Sequence, residues 1–203
     1  MTETHHDAHG HEHEHEDEPV SPAARVAALE ELLKAEGLVS DEFIDAVVDT
    51  FSQTLGPKHG ARVVARAWCD LAFKQRLLAD GKAAAAELGI EGPEGNLEIV
   101  ENTDDVHNVV VCTLCSCYPW SMLGLPPRWY KSPEYRARMV REPRVLLREM
   151  GLDLDPAVEI RVWDSSAEKR YMVLPQCPTD EAMSEEELAA LITRDAMVGV
   201  ARL

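Results

Sequence analysis

The spacing of hydrophobic positions changes near residue 93, and the change separates a helical stretch from a mixed one. Before it, apolar residues recur at helical intervals. Val26, Leu29 and Leu33 form a stripe behind Ser21, a plausible N-cap with Pro22 at the first helical position, and Gly37 stops it. Ser40 opens a second stripe of Phe43, Val47 and Phe51, closed by Gly56-Pro57. Two more helical stretches are predicted at about 59–68 and 70–88, with Asp70 as the cap between them.

After Gly92-Pro93 the pattern turns to short apolar runs. Leu97 to Val100 reads as a strand, and His107 to Val111, mostly apolar, as a second and buried one. A turn containing Gly124, Pro126 and Pro127 leads to a helix begun by Ser132-Pro133-Glu134, interrupted near Pro143 and ended by Gly151. Val158, Ile160 and Val162 alternate on a third strand. Tyr171 to Leu174 make a fourth, and the link through Ser165, Ser166, Ala167 and Glu168 predicts a hairpin. Ser184 with Glu187 forms a capping box for a last helix carrying Leu188, Leu191 and Ile192. The expected class is α+β: a helical N-terminal arm or lobe over residues 21–92, then a layered α/β/β/α-type body over 93–203. Part of the apolar surface of the helical arm is expected to belong to a partner.

Residues 1–20 alternate His with Glu and Asp and hold six of the eight histidines, leaving His59 and His107 in the body. Such a stretch has no apolar area to offset its conformational entropy, so a disordered tail is expected, able to capture a divalent metal. With 45% hydrophobic but only 5% aromatic residues, the core should rest on Ala, Val and Leu. No apolar run approaches the roughly 18 residues a membrane span needs, and no basic-then-apolar leader marks export. The net charge of −17 argues against nucleic acid as a partner, because phosphate recognition needs a basic patch. Five cysteines, an odd number, without an export signal point to a reducing cytoplasm. Cys69 and Cys177 stand alone and read as ordinary thiols.

Cys112, Cys115 and Cys117 do not stand alone. Thiolates at i, i+3 and i+5 converge on one metal only if the backbone curls around it. That curl drives the intervening amide nitrogens toward the same centre. Three sulfurs and two amides would give five donors and leave a sixth position open, as a Lewis-acid catalyst requires. Soft thiolates suit a transition metal, and a plane containing amides disfavours tetrahedral zinc. A zinc site would need Cys69, Cys177, His59 or His107 as fourth ligand, and none has the paired spacing of zinc ribbons. A redox Cys-x-x-Cys normally opens a helix after a strand, which Cys117 and Pro119 oppose.

The run Cys112-Thr-Leu-Cys-Ser-Cys117, followed by Tyr118-Pro-Trp120 and Leu123-Gly-Leu-Pro-Pro-Arg-Trp-Tyr130, closely resembles the nitrile hydratase α-subunit family. The likeness extends over Gly60 to Trp68, Tyr135 to Arg138, Trp163 to Glu168 and Val198 to Val200. It implies one Co(III) per chain, cobalt rather than iron because Thr113 stands where iron members have Ser. The implied ligands are the sulfurs of Cys112, Cys115 and Cys117 and the backbone nitrogens of Ser116 and Cys117. It implies sulfinate at Cys115 and sulfenate at Cys117, both on the ordinary oxidation ladder of a thiolate. The implied reaction is addition of water to a nitrile to give an amide, with the Cys117 oxygen as nucleophile or as base. Asp164 and Glu168 match acidic residues that support the site, the plainer reading being a polar turn; Glu101 is a weaker candidate for the same role. Trp120 is a candidate for the substrate pocket or for the core. The implied partner is a β subunit, in one chain or split in two, forming a hetero-oligomer. No arginine is fixed beside the run by the sequence, so hydrogen bonds to the oxidised sulfurs are expected from that partner.

Two features depart from the pattern. After Pro175-Gln176 the family has an Arg-Pro-Ala-Gly-Thr stretch ending in Trp, where this chain has Cys177-Pro-Thr-Asp-Glu-Ala-Met183. The His-rich head is closer to the metal-binding subunit of thiocyanate hydrolase, a relative with Arg in the place of Trp120. That enzyme is the alternative reading, and a non-catalytic metal-binding accessory protein is a third.

Overall fold

The computed structural model describes residues 21–51, 56–93, 95–115, 117–179 and 181–203; expectations for the tail and for Ser116 lie outside them. The chain divides into two compact units after Ile44. In the first, α1 (Pro22–Ala35) starts as its sequence dictates, the Ser21 hydroxyl accepting from the Ala24 amide at 3.2 Å. Lys34 ties its end to Asp41, the first residue of α2 (Asp41–Asp49), at 2.6 Å. The expected stripe is present but faces solvent: α1 buries no residue, and Val26 is 64% exposed.

The second unit carries the core. Its first helices are α3 (Gly56–Cys69), α4 (Leu71–Ala79) and α5 (Gly81–Glu87). Gly56-Pro57 therefore begins a helix rather than closing one. Asp70 caps α4 through the Phe73 amide at 3.0 Å, and Asp80 caps α5 through the Ala83 amide at 2.9 Å. This second aspartate breaks the single helix expected over 70–88. Val63, Val64 and Ala67 of α3, with Phe73 and Leu77 of α4, are buried. Each Val, Leu or Phe among them contributes about 1.5–3 kcal/mol by leaving water.

Four strands follow the predicted ranges: β1 (Asn96–Glu101), β2 (Val106–Val111), β3 (Glu159–Asp164) and β4 (Lys169–Leu174). The pairing corrects the expected hairpin. β3 and β4 do not fold back on one another; β1 pairs with β4 and β2 with β3, both in parallel. The 165–168 link instead carries the chain from one two-stranded ladder to the other, as 102–105 does between β1 and β2. A four-residue polar link serves a hairpin or such an arch equally well, and the strand pattern alone does not separate them. Val109, Val110 and Val111 of β2 are all buried, as their unbroken apolar run requires.

Between β2 and β3 along the chain come α6 (Trp120–Leu123), α7 (Pro133–Arg141) and α8 (Pro143–Glu149); Pro143 starts the last and so ends α7 before it. α9 (Glu185–Leu191) has the predicted capping box, and Thr193 caps a further short helix, α10 (Arg194–Val198). Gly199 ends α10 at φ 91°, and a Cβ there would meet the Asn108 carbonyl oxygen at 2.0 Å. Only glycine fits that approach. None of the described helices is long and apolar enough to cross a membrane.

A buried polar network joins this corner to β2. His107 donates from Nε2 to the Gly199 carbonyl at 2.8 Å, and its Nδ1 accepts from the Asn102 amide at 3.3 Å. Asn102 in turn accepts from the Asn108 backbone at 2.7 Å, and Asn108 accepts from the Trp163 indole at 2.8 Å. Burial holds His107 below its ordinary value of 6.5, with Arg202 adding to the effect and the Gly199 bond opposing it. The folded chain thus refuses a proton that the unfolded chain takes up. The stability from this site is complete above pH 6.5 and is lost as pH falls through the depressed folded value. Thermal melting should therefore drop as pH falls below 6.5, and His107→Gln should flatten that part of the profile. An unchanged slope in the variant would contradict this.

Candidate metal centre

The cysteine run leaves the end of β2 where Val111 stands opposite Asp164, the last residue of β3. Cys112 is fully buried, Cys117 half-buried and Cys115 exposed, so the three thiols rise from the core to the surface. Their sulfurs nevertheless converge. Sγ of Cys112 and Cys115 lie 3.4 Å apart, those of Cys115 and Cys117 3.1 Å apart, and all three fall within 4.8 Å of one another. The backbone curl is visible in the Cys115 amide, which points at the Cys112 sulfur at 3.4 Å.

Two of these separations bear on the geometry a metal would find. With metal–sulfur bonds of about 2.3 Å, two sulfurs at right angles stand about 3.3 Å apart, and two at the tetrahedral angle about 3.8 Å. The 3.1 and 3.4 Å of two pairs lie nearer the right-angled value, which accords with a transition metal of octahedral or square preference. Without a cation, burial pushes the Cys117 thiol up to about 12, reinforced by the neighbouring Cys115 and Cys112 sulfurs and opposed by Arg170. A metal entering the cluster displaces those protons.

Three side chains hold the run from outside. Asp164 accepts from the Thr113 amide at 2.9 Å and from the Thr113 hydroxyl at 2.6 Å. Tyr130, in a 3-10 turn over Arg128–Lys131, donates its hydroxyl to the Cys117 carbonyl at 2.9 Å. Arg136 on α7 donates to the Cys115 carbonyl at 2.9 Å. Behind them Tyr118 and Tyr130 meet edge to face at 4.9 Å, as do Trp129 and Tyr135, giving the run a rigid aromatic backing.

Of the residues singled out in the sequence, the structure brings together Cys112, Cys115, Cys117 and Asp164. Trp120 opens α6 at 40% exposure, its ring edge-on to Phe51 at 5.6 Å, and so belongs to the surface rather than the core. Glu168 is exposed, accepts from the Ser166 hydroxyl at 3.0 Å and touches Asn96 only through its carbonyl. Glu101 is not brought to the thiols: its carboxylate is paired with Lys74, because the end of β1 faces α4. It lines an open groove of about 660 Å3 with Trp68, Cys69, Cys177 and Met183, which shares no lining residue with the thiol run. Among the described residues the sulfur cluster, not this larger groove, is the group that could hold a metal ion.

Arg136 and Tyr130 escaped the sequence reading, and Arg136 corrects the expectation that no arginine of this chain is fixed beside the run. Arg136 stands 21 residues from Cys115 in sequence, and only the docking of α7 brings it there. Both lie in stretches that carry the family likeness, which was their one legible signal.

A sulfur claw at the end of a parallel strand pair, backed by aromatics and open to solvent on one side, defines a metal-binding subunit. The chain belongs to the nitrile hydratase alpha-chain family: the model of the family described as nitrile hydratase, alpha chain, matches residues 20–201. It is 56% identical over 180 residues to the low-molecular weight cobalt-containing nitrile hydratase subunit alpha of Rhodococcus rhodochrous, covering 88% of this chain and 87% of that one. It is 41% identical over 187 residues to the thiocyanate hydrolase subunit gamma of Thiobacillus thioparus, covering 86% and 76% of the two chains. Among solved structures, a double mutant of the Fe-type nitrile hydratase from Comamonas testosteroni Ni1 superposes with a TM-score of 0.82 at 46% identity, over 89% of both chains.

Proposed function

We propose that this chain is the metal-carrying α subunit of a cobalt-type nitrile hydratase and, with a β subunit, converts a nitrile and water to an amide. The observation that carries the reading is the convergence of the Cys112, Cys115 and Cys117 sulfurs at right-angle spacing in a member of this family. The three sulfurs, with the backbone nitrogens of Ser116 and Cys117, would hold one cobalt per chain. When bound, the cobalt supplies Lewis-acid activation of the nitrile.

The rest falls to the chain's own residues. Asp164 grips Thr113 twice, and Tyr130 fixes the Cys117 carbonyl, so the thiols stay aimed at one point. With Cys115 as sulfinate and Cys117 as sulfenate, the Cys117 oxygen acts on the nitrile carbon or on the proton of the attacking water. Leu114, within the run and 86% exposed, offers an apolar surface next to the thiols that would exclude water from the substrate once covered, and Trp120 is a further candidate for that lining. The exposed Leu114 supports a partner subunit covering the site, and the exposed apolar residues of α1 separately support a partner for that unit.

Greater identity to the cobalt nitrile hydratase subunit, and Trp120 where the thiocyanate hydrolase pattern has Arg, favour nitrile over thiocyanate as substrate. The test is co-expression with candidate partner chains in cobalt medium, followed by nitrile turnover and elemental analysis. The expected result is amide formation that needs the partner, with about one cobalt per chain. Stoichiometric zinc or iron in active enzyme would overturn the metal, and thiocyanate hydrolysis without nitrile hydration would overturn the reaction.

A further inference from the structure

Helix α7 braces the claw at two points through adjacent residues. Tyr135 donates its buried hydroxyl to the Val110 carbonyl at 2.8 Å, fixing the end of β2. Arg136 donates from Nη1 to the Cys115 carbonyl at 2.9 Å, inside the claw itself. Ser132 sets the start of the helix by accepting from the Tyr135 amide at 3.1 Å, so both donors are placed from one cap.

The charges on α7 are divided unequally. Arg138 is tied to Glu134, Glu142 and Glu149, the last at 2.7 Å. Half-buried Arg136 forms no ion pair with a carboxylate among the described residues, and its Nε is buried without a hydrogen-bond partner. Arg136 is thus a cation with no carboxylate partner among the described residues, and its one described side-chain hydrogen bond goes to the run itself. A donor set of thiolates and backbone amides gathers negative charge, which a neighbouring cation offsets. The bond also falls on the peptide that follows Cys115. Because a peptide unit is planar, fixing its carbonyl fixes the direction of the amide after it.

We propose that Arg136 is a positioning residue for the metal: its positive charge, anchored on the Cys115 carbonyl, holds the claw in its metal-retaining form. This rests on the claw reading above. Its role is separate from any donor that a partner subunit supplies to the sulfur oxygens, because it acts on the backbone.

The test uses the full chain co-expressed with its partner in cobalt medium. Retained cobalt is measured against a competing chelator, and the sulfur-to-cobalt charge-transfer absorption is recorded. Arg136→Leu should release cobalt at least about tenfold more readily, the scale on which outer partners of metal ligands act, and should shift the absorption band. Arg136→Lys, which keeps the charge, should stay close to wild type. Arg141→Leu, on the same helix but bonded only to the Ala137 carbonyl, should match wild type. Where Arg136→Leu fails to fold, Arg136→Gln carries the test, because it keeps a polar side chain but lacks both the charge and the length to reach the Cys115 carbonyl; it should lose cobalt on the same scale. Wild-type cobalt retention in the Leu or Gln variant, or equal loss in the Lys and Leu variants, would overturn the proposal. A wild-type complex with no stoichiometric cobalt would instead overturn the claw reading itself.

Discussion

Replacing Cys117 by serine is expected to abolish nitrile hydration, while replacing Cys69 or Cys177 by serine leaves it intact. Cys117 sits 3.1 Å from the Cys115 sulfur, and its loss removes a soft donor from a cluster with only three. A serine hydroxyl is a harder ligand, cannot take up the oxidised state and would leave the metal loosely held. Lewis-acid activation supplies several kcal/mol and each 1.4 kcal/mol is a factor of ten, so turnover should fall on the order of a hundredfold or more. Cys69 is exposed at the end of α3, and Cys177 is exposed and donates only to the Thr179 carbonyl at 3.2 Å. Their variants should change stability by no more than about 0.5 kcal/mol, as surface substitutions do. Turnover and cobalt content of the co-expressed complexes are the measurements. Retained activity in Cys117→Ser, or cobalt loss in Cys69→Ser, would contradict the assignment.

Asp164→Ala should weaken the centre without touching a ligand. The carboxylate is the acceptor for both the Thr113 amide and the Thr113 hydroxyl, and its position at the end of β3 is set by the parallel register with Val111. Removing it frees the residue immediately after the buried Cys112. Outer partners of metal ligands cost about 10–100-fold in affinity or activity when removed, and that range is expected here. Thr113→Val keeps the backbone bond and loses only the hydroxyl, so its effect should be smaller. Glu168→Gln should be near neutral, within about 0.5 kcal/mol, because the Glu168 side chain touches Ser166 and not the run. Chelator competition and turnover rank the three variants. An Asp164→Ala complex that holds cobalt as wild type does, or a Glu168→Gln complex as impaired as Asp164→Ala, would remove the distinction drawn between them.

The elements themselves were written plainly in the sequence. Ser21, Ser132 and Ser184 cap helices where their side chains predict, and all four strands fall within a residue or two of their apolar runs. The claw was legible too, since three cysteines in six positions leave few alternatives. Pairing was not. An apolar run shows that a strand is buried but not which strand it lies beside, and the polar link over 165–168 suited a hairpin as well as the arch that forms. The same limit hid Arg136 and led Glu101 to be considered for the site. Both depend on where a helix docks: α7 carries Arg136 to the Cys115 carbonyl, while α4 brings Lys74 to Glu101. Asp164 was found because its neighbours carried the family likeness, and the structure supplies its contact.

The most direct test of the central claim is mass spectrometry of the peptide spanning residues 112–117 from enzyme shown to hydrate a nitrile. Oxygen on sulfur would lessen thiolate donation and leave a bound metal a stronger Lewis acid, which is why the proposed mechanism depends on the oxidised ligands. The account predicts two added oxygens on Cys115, one on Cys117 and none on Cys112, the steps of the sulfinate, sulfenate and thiolate rungs. Active enzyme with no added oxygen on either Cys115 or Cys117 would contradict it, even with cobalt bound.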